Sequence, residues 1–152
     1  MNKKKSIKAA LAFFSTVIIA LSLSACSSSE SKAADYNDGT YSGRSSNYDE
    51  DESGNGAGYG EVTIKLENNR ITECSFVMYN LDGTVKDETY GSELSRENRL
   101  KAQKAVQAGS KYAAAVIGKS NADDVDTISG ATISCKEFKE AVNDALKKAE
   151  KA

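Results

Sequence analysis

The apolar residues of this chain change period once, and that change limits the fold more than any other feature. Val62, Ile64 and Leu66 alternate with Thr63 and Lys65, the period of a strand with one buried face. Glu67-Asn68-Asn69-Arg70 is a turn. Ile71 to Tyr79 resumes the alternation, with Cys74, Phe76 and Met78 opposite Glu73 and Ser75. Asp82-Gly83 marks the next turn, and a further short strand to about Tyr90 is expected. From about Arg96 to Ile117 the step becomes three and four. Ala102, Ala105, Val106, Gly109, Ala113, Val116 and Ile117 form one helical stripe, which Gly118 should stop. Phe138, Val142, Ala145, Leu146 and Ala149 form a second stripe. Ser134 and Glu137 have capping-box spacing, which places the start of this helix at Ser134. Asp38-Gly39-Thr40-Tyr41-Ser42-Gly43 reads as a short edge strand ahead of the rest. The expected fold is α+β, an antiparallel strand meander followed by two helices in a single domain.

Residue types absent from the chain exclude much chemistry. Its 152 residues include no His, Trp or Pro. Without His there is no imidazole base, no His-ligated metal and no haem held by His. The three Cys form no CxxC pair, which removes zinc ribbons and thioredoxin-type sites. Four of the 20 basic residues precede Glu30. The remaining 16 face all 22 acidic residues, a net charge of −6. Such a body is a poor partner for nucleic acid, which needs a basic surface.

The N-terminus reads as an address and an anchor. Residues 1–8 carry Lys3, Lys4, Lys5 and Lys8, and Leu11 to Leu23 is mostly apolar. About 13 apolar residues fall short of the roughly 20 of a membrane-spanning helix and suit a signal peptide over 1–25. Leu23-Ser24-Ala25-Cys26 resembles the bacterial lipobox, which implies that Cys26 becomes the lipidated N-terminus of an extracytoplasmic, membrane-tethered protein. Two acyl chains suffice for stable anchoring where one is marginal. Residues 26–37 then comprise the lipidated Cys and a small, polar, flexible linker, with the folded domain over 38–152. The run Asp49-Glu50-Asp51-Glu52 and the glycines Gly54, Gly56, Gly58 and Gly60 contain neither GxGxxG nor the spacing of a calcium loop. They read as a solvated loop, with no metal site expected.

The stretch that carries chemistry is Asp126-Thr127-Ile128-Ser129-Gly130-Ala131-Thr132-Ile133-Ser134, immediately before the second helix. Ser129-Gly130-Ala131 lets the backbone turn sharply. Thr132 sets a hydroxyl two residues ahead of the expected helix start, where unpaired N–H groups and the positive dipole end favour a phosphate. On the residues alone the alternative is an ordinary Ser/Thr-rich loop and cap.

Asp126-Thr-Ile-Ser-Gly-Ala-Thr132 resembles the flavinylation motif of the FMN-binding domain family. That family includes peripheral subunits of the sodium-pumping NADH:quinone oxidoreductase and of the Rnf complex, and small lipoproteins implicated in extracellular electron transfer. A looser likeness covers residues 38–148, from Asp38-Gly-Thr-Tyr-Ser-Gly43 through the Asn68-Asn69-Arg70 turn to Lys139-Glu140-Ala141-Val142. The resemblance implies covalent FMN esterified through phosphate to Thr132 by a flavin transferase that uses FAD. It also implies that Asp126, Ser129, Gly130 and Ala131 belong to the sequence recognised for modification. The implied role is an electron carrier rather than a stand-alone enzyme, between a membrane donor linked to NADH or quinone and an extracellular acceptor. The other reading is a non-redox surface lipoprotein that binds a ligand or partner, with a pheromone cut from its signal peptide as a further possibility. Tyr59, Tyr79 and Tyr90 are read as packing residues. Cys74 and Cys135 both fall on apolar faces, and either a disulfide or two buried thiols is compatible with an exported domain.

Overall fold

The computed structural model describes residues 35–50 and 56–152. The signal peptide, Cys26, most of the linker and residues 51–55 of the acidic loop lie outside the described residues. Strands β1 (Gly39–Arg44), β2 (Tyr59–Glu67) and β3 (Arg70–Tyr79) form an antiparallel sheet in the order β1-β2-β3. Helices α1 (Arg96–Ala115) and α2 (Thr132–Ala149) follow, so the expected α+β meander and helix pair is the observed fold.

Val62, Ile64 and Leu66 are almost fully buried, and their partners across the sheet include Gly43, Tyr41 and Cys74. The β2–β3 turn is a two-residue hairpin in which Asn68 and Asn69 both have positive φ, 52° and 61°. Asn tolerates that region, and a turn of this hand matches the twist of the strands. α2 lies across β1 and β2, and Phe138, Ala141, Val142 and Ala145 seal the core. It comes so close that a Cβ on Gly43 would collide with the Ala141 carbonyl oxygen and lie 2.5 Å from Ala145 N. α1 covers β3, where a Cβ on Gly109 would stand 3.1 Å from Met78 Cε.

Outside α2, the structure departs from the sequence pattern at three places. Packing extends ahead of Asp38 into residues 35–37: Tyr36 is buried, Asn37 N donates to Ala149 O at 2.8 Å, and Lys151 N donates to Asp35 O at 2.9 Å. One tyrosine ring thus converts the end of a polar stretch into core. No strand runs to Tyr90; a single bridge joins Tyr79 to Val85. The Asp82 and Asp87 carboxylates accept from Thr84 N and Thr89 N at 2.9 and 2.8 Å, and these local bonds hold turns instead of an extended chain. In α1 the deepest residues are Ala108 and Tyr112, whereas Ile117 lies beyond the helix end and is 44% exposed.

Candidate functional site

Thr132 is the first residue of α2, not a loop residue two positions ahead of it. The expected capping box does not form. Ala131 is the N-cap, and its carbonyl already accepts from Cys135 N at 3.0 Å, so the helix begins two residues before Ser134. Ser134 and Glu137 point inward instead and are 5% and 2% exposed. Among the described residues no side chain caps α2, and its first turn holds no acid. α1 is started conventionally: Ser95 accepts from Asn98 N at 3.4 Å, and Glu97 sits in the first turn. The open N–H groups and the dipole of α2 therefore meet no carboxylate of their own helix's first turn.

The residues before Thr132 form a closed turn. Ala131 N donates to Ile128 O at 2.9 Å, and Gly130 has φ +80°, the signature of a type II turn with Ser129 and Gly130 at its centre. Ser129, Gly130 and Thr132 are exposed, Ala131 is buried, and Asp126 stands exposed at the entry to the loop. Ser129, Gly130, Ala131 and Thr132 thus lie together in one short structure, with Asp126 at its upstream end. From α1, the Lys104 side chain lies over Gly130: a Cβ there would be 3.2 Å from Lys104 Nζ.

A model of the FMN-binding domain matches residues 55–147. The chain belongs to the FMN-binding domain family. Its fold is similar to that of the CPE2226 protein from Clostridium perfringens. The two are 24% identical, with a TM-score of 0.56 over 76% of this chain and 89% of that one. No curated protein matches the chain.

The loop of this FMN-binding domain fits the phosphate end of FMN on its own chemistry. It offers an exposed hydroxyl, an uncapped and acid-free helix start, a left-handed glycine without a side chain, and a lysine beside that glycine. Lys104 escaped the sequence pattern because nothing in its spacing ties it to residue 130. Tyr112, whose hydroxyl reaches this loop from α1, stands among the small residues of that helix's stripe and carries no local sequence mark of the contact.

Cys74 and Cys135 are both free thiols in the structure. Their surroundings differ. Cys74 lines an open groove of about 560 Å³ between β3 and α1, with Phe76, Val106 and Ile117, and burial pushes its thiol up to about 11. Cys135 lies under the loop, where its Sγ accepts from Thr127 Oγ1 at 3.5 Å. Tyr59 and Tyr79 stack on each other at 5.2 Å, with the Arg44 guanidinium 3.7 Å over Tyr59.

A second polar group was not anticipated. Among the described residues Glu137 Oε1 meets no partner, and burial pushes its carboxyl up to about 7. Lys86, 8% exposed, donates to Gly56 O at 3.2 Å, and burial holds its ammonium below the usual lysine range. Only the carboxyl beside Phe138 in the sequence, on the apolar stripe, hinted at this.

Proposed function

We propose that this FMN-binding domain is a lipid-anchored, extracytoplasmic electron carrier whose FMN is esterified through its phosphate to Thr132. The observation that carries the reading is the exposed Thr132 hydroxyl at the uncapped, acid-free start of α2. The N–H groups of the first turn and Lys104 are the groups that would hold the phosphate oxygens, and Ser129-Gly130-Ala131 keeps the approach to Thr132 free of bulk. When bound, FMN supplies one- or two-electron chemistry at its ring, and the protein supplies attachment and surroundings. Covalent attachment suits an exported chain, since a dissociating cofactor would be lost outside the cell. A flavin transferase is the modifying partner, a donor linked to NADH or quinone reduces the carrier at the membrane, and an extracellular acceptor oxidises it. The anchor is Cys26, supported by the Leu23-Ser24-Ala25-Cys26 sequence behind a basic and apolar leader.

The test is the mass of denatured protein after co-expression with a flavin transferase. The peptide spanning Thr132 should be heavier by FMN less one water, and Thr132→Ala should fold without flavin. Flavin that washes out in denaturant, or that stays on Thr132→Ala, refutes the attachment. Reduction of the bound flavin by membranes supplied with NADH tests the carrier role separately. Cys26→Ala should release the protein from membranes or stop its processing.

A further inference from the structure

Tyr112 reaches the Thr132 loop from α1. Its phenol oxygen accepts from Ile128 N at 3.0 Å and donates to Ala131 O at 3.0 Å. These are the two ends of the Ser129-Gly130 turn, so the turn is closed once by its own backbone and again through one side chain. The Ala131 carbonyl also takes the first bond of α2, from Cys135 N. One atom therefore fixes the turn, the helix start and Tyr112 in register, and Thr132 is the next residue. The clamp itself has little freedom. Tyr112 is 1% exposed, and its ring stacks on Phe138 at 5.7 Å with 21° between planes. Burial raises its phenol above the ordinary tyrosine range, which keeps the proton that Ala131 O accepts.

We propose that Tyr112 is a positioning residue for flavinylation: its hydroxyl holds the 128–131 turn in the shape that the transferase reads. The proposal rests on Thr132 being the attachment site. In that transfer the Thr132 Oγ–phosphorus bond forms, and the bond between phosphorus and the bridging oxygen of FAD's two phosphates breaks. AMP leaves, the hydroxyl proton passes to a base or to water, and no electron changes hands. Such an attack needs the nucleophile held close to its line of approach. A loop that visits the right shape only part of the time lowers apparent affinity by that fraction.

Tyr112→Phe in the full chain removes the hydroxyl and keeps the ring. With the transferase and FAD, its KM as substrate should rise about tenfold while kcat changes less than about twofold, the pattern of a reduced competent population. Hydrogen exchange should show the Ile128 amide protected in the unmodified parent and released in the variant, with β2 amides unchanged. Val142→Ala, a core change away from the loop, should lower stability and leave KM alone. An unchanged KM in Tyr112→Phe, or an equal rise in Val142→Ala, overturns the proposal. If Tyr112→Phe fails to fold, the parent decides: an Ile128 amide that exchanges as fast as Gly130 overturns the clamp. If the parent takes no flavin, the attachment site itself fails, an outcome distinct from a flavinylated parent whose variant behaves alike.

Discussion

Glu137 and Lys86 are both buried, on α2 and on the segment after β3, and each feels the other's charge without an ion pair between them. Both lie against the start of β2: a Cβ on Gly60 would stand 3.1 Å from Glu137 Cβ, and one on Gly58 would stand 2.5 Å from Lys86 Nζ. Removal from water dominates for both groups. It favours the neutral carboxyl and the neutral amine, and the attraction between them only partly opposes it.

The pH dependence of stability follows from Glu137. Its carboxyl rises from 4.5 to about 7 on folding, so the folded state binds the proton more tightly. The contribution is fully present below about pH 4.5 and is lost as pH rises through about 7. A shift of that size corresponds to roughly 3 kcal/mol. Other groups facing Glu137 add to the profile: Glu140 raises its carboxyl, Lys86 lowers it, and the Tyr48 and Tyr90 phenols are lifted partly by its charge. The measurement is therefore a difference. Denaturant titrations between pH 4 and 8 should show the parent losing stability relative to Glu137→Gln across that window, and parallel curves would contradict the assignment.

Gly43 tests the packing of α2 on β1. A methyl group there must displace the helix backbone at Ala141 and Ala145 rather than a flexible side chain. Gly43→Ala should destabilise the domain by about 3 kcal/mol or more, at the upper end of overpacking effects. Thermal unfolding compared with Thr40→Ala, an exposed change in the same strand, is the measurement.

Lys104 should matter to the phosphate more than to the fold. It is exposed and lies over Gly130. Lys104→Glu should slow flavinylation several-fold, with the difference shrinking at high salt as the charges are screened. Unfolding should shift by less than about 0.5 kcal/mol, as for other surface changes. A salt-independent defect would point to the loop backbone instead.

Much of the fold was legible because its signals are local. Val62, Ile64 and Leu66 alternate, Asn68-Asn69 forms the hairpin, and Phe138, Val142 and Ala145 repeat at helical spacing; each needs only near neighbours to be read. The misreadings share the opposite property. Tyr36 is core because residues more than a hundred positions away bond its neighbours, and nothing nearby marks it. Ser134 and Glu137 have the spacing of a cap, yet burial of that helix face outweighs it and moves the start to Thr132. The loop was found through its motif. Lys104 and Tyr112, which act on it from another helix, depend on how α1 crosses α2, and that crossing is not written in either segment.

The uncapped start of α2 separates stability from attachment. An acid in the first turn of a helix typically adds about 0.3–1 kcal/mol through the dipole and the open N–H groups. α1 has such an acid at Glu97, whereas α2 has none. Thr132→Asp places a carboxylate where the hydroxyl stands, on an exposed position that needs no repacking. This variant should melt above the unmodified parent, by a few degrees at most, and carry no covalent flavin after co-expression with the transferase. Thr132→Ala should lose the flavin without the gain in stability. That pair of results would support the proposal of a phosphate at this helix start. A Thr132→Asp protein no more stable than Thr132→Ala would mean that the open N–H groups at this helix start do not favour an anion, and the electrostatic part of the attachment site would fall.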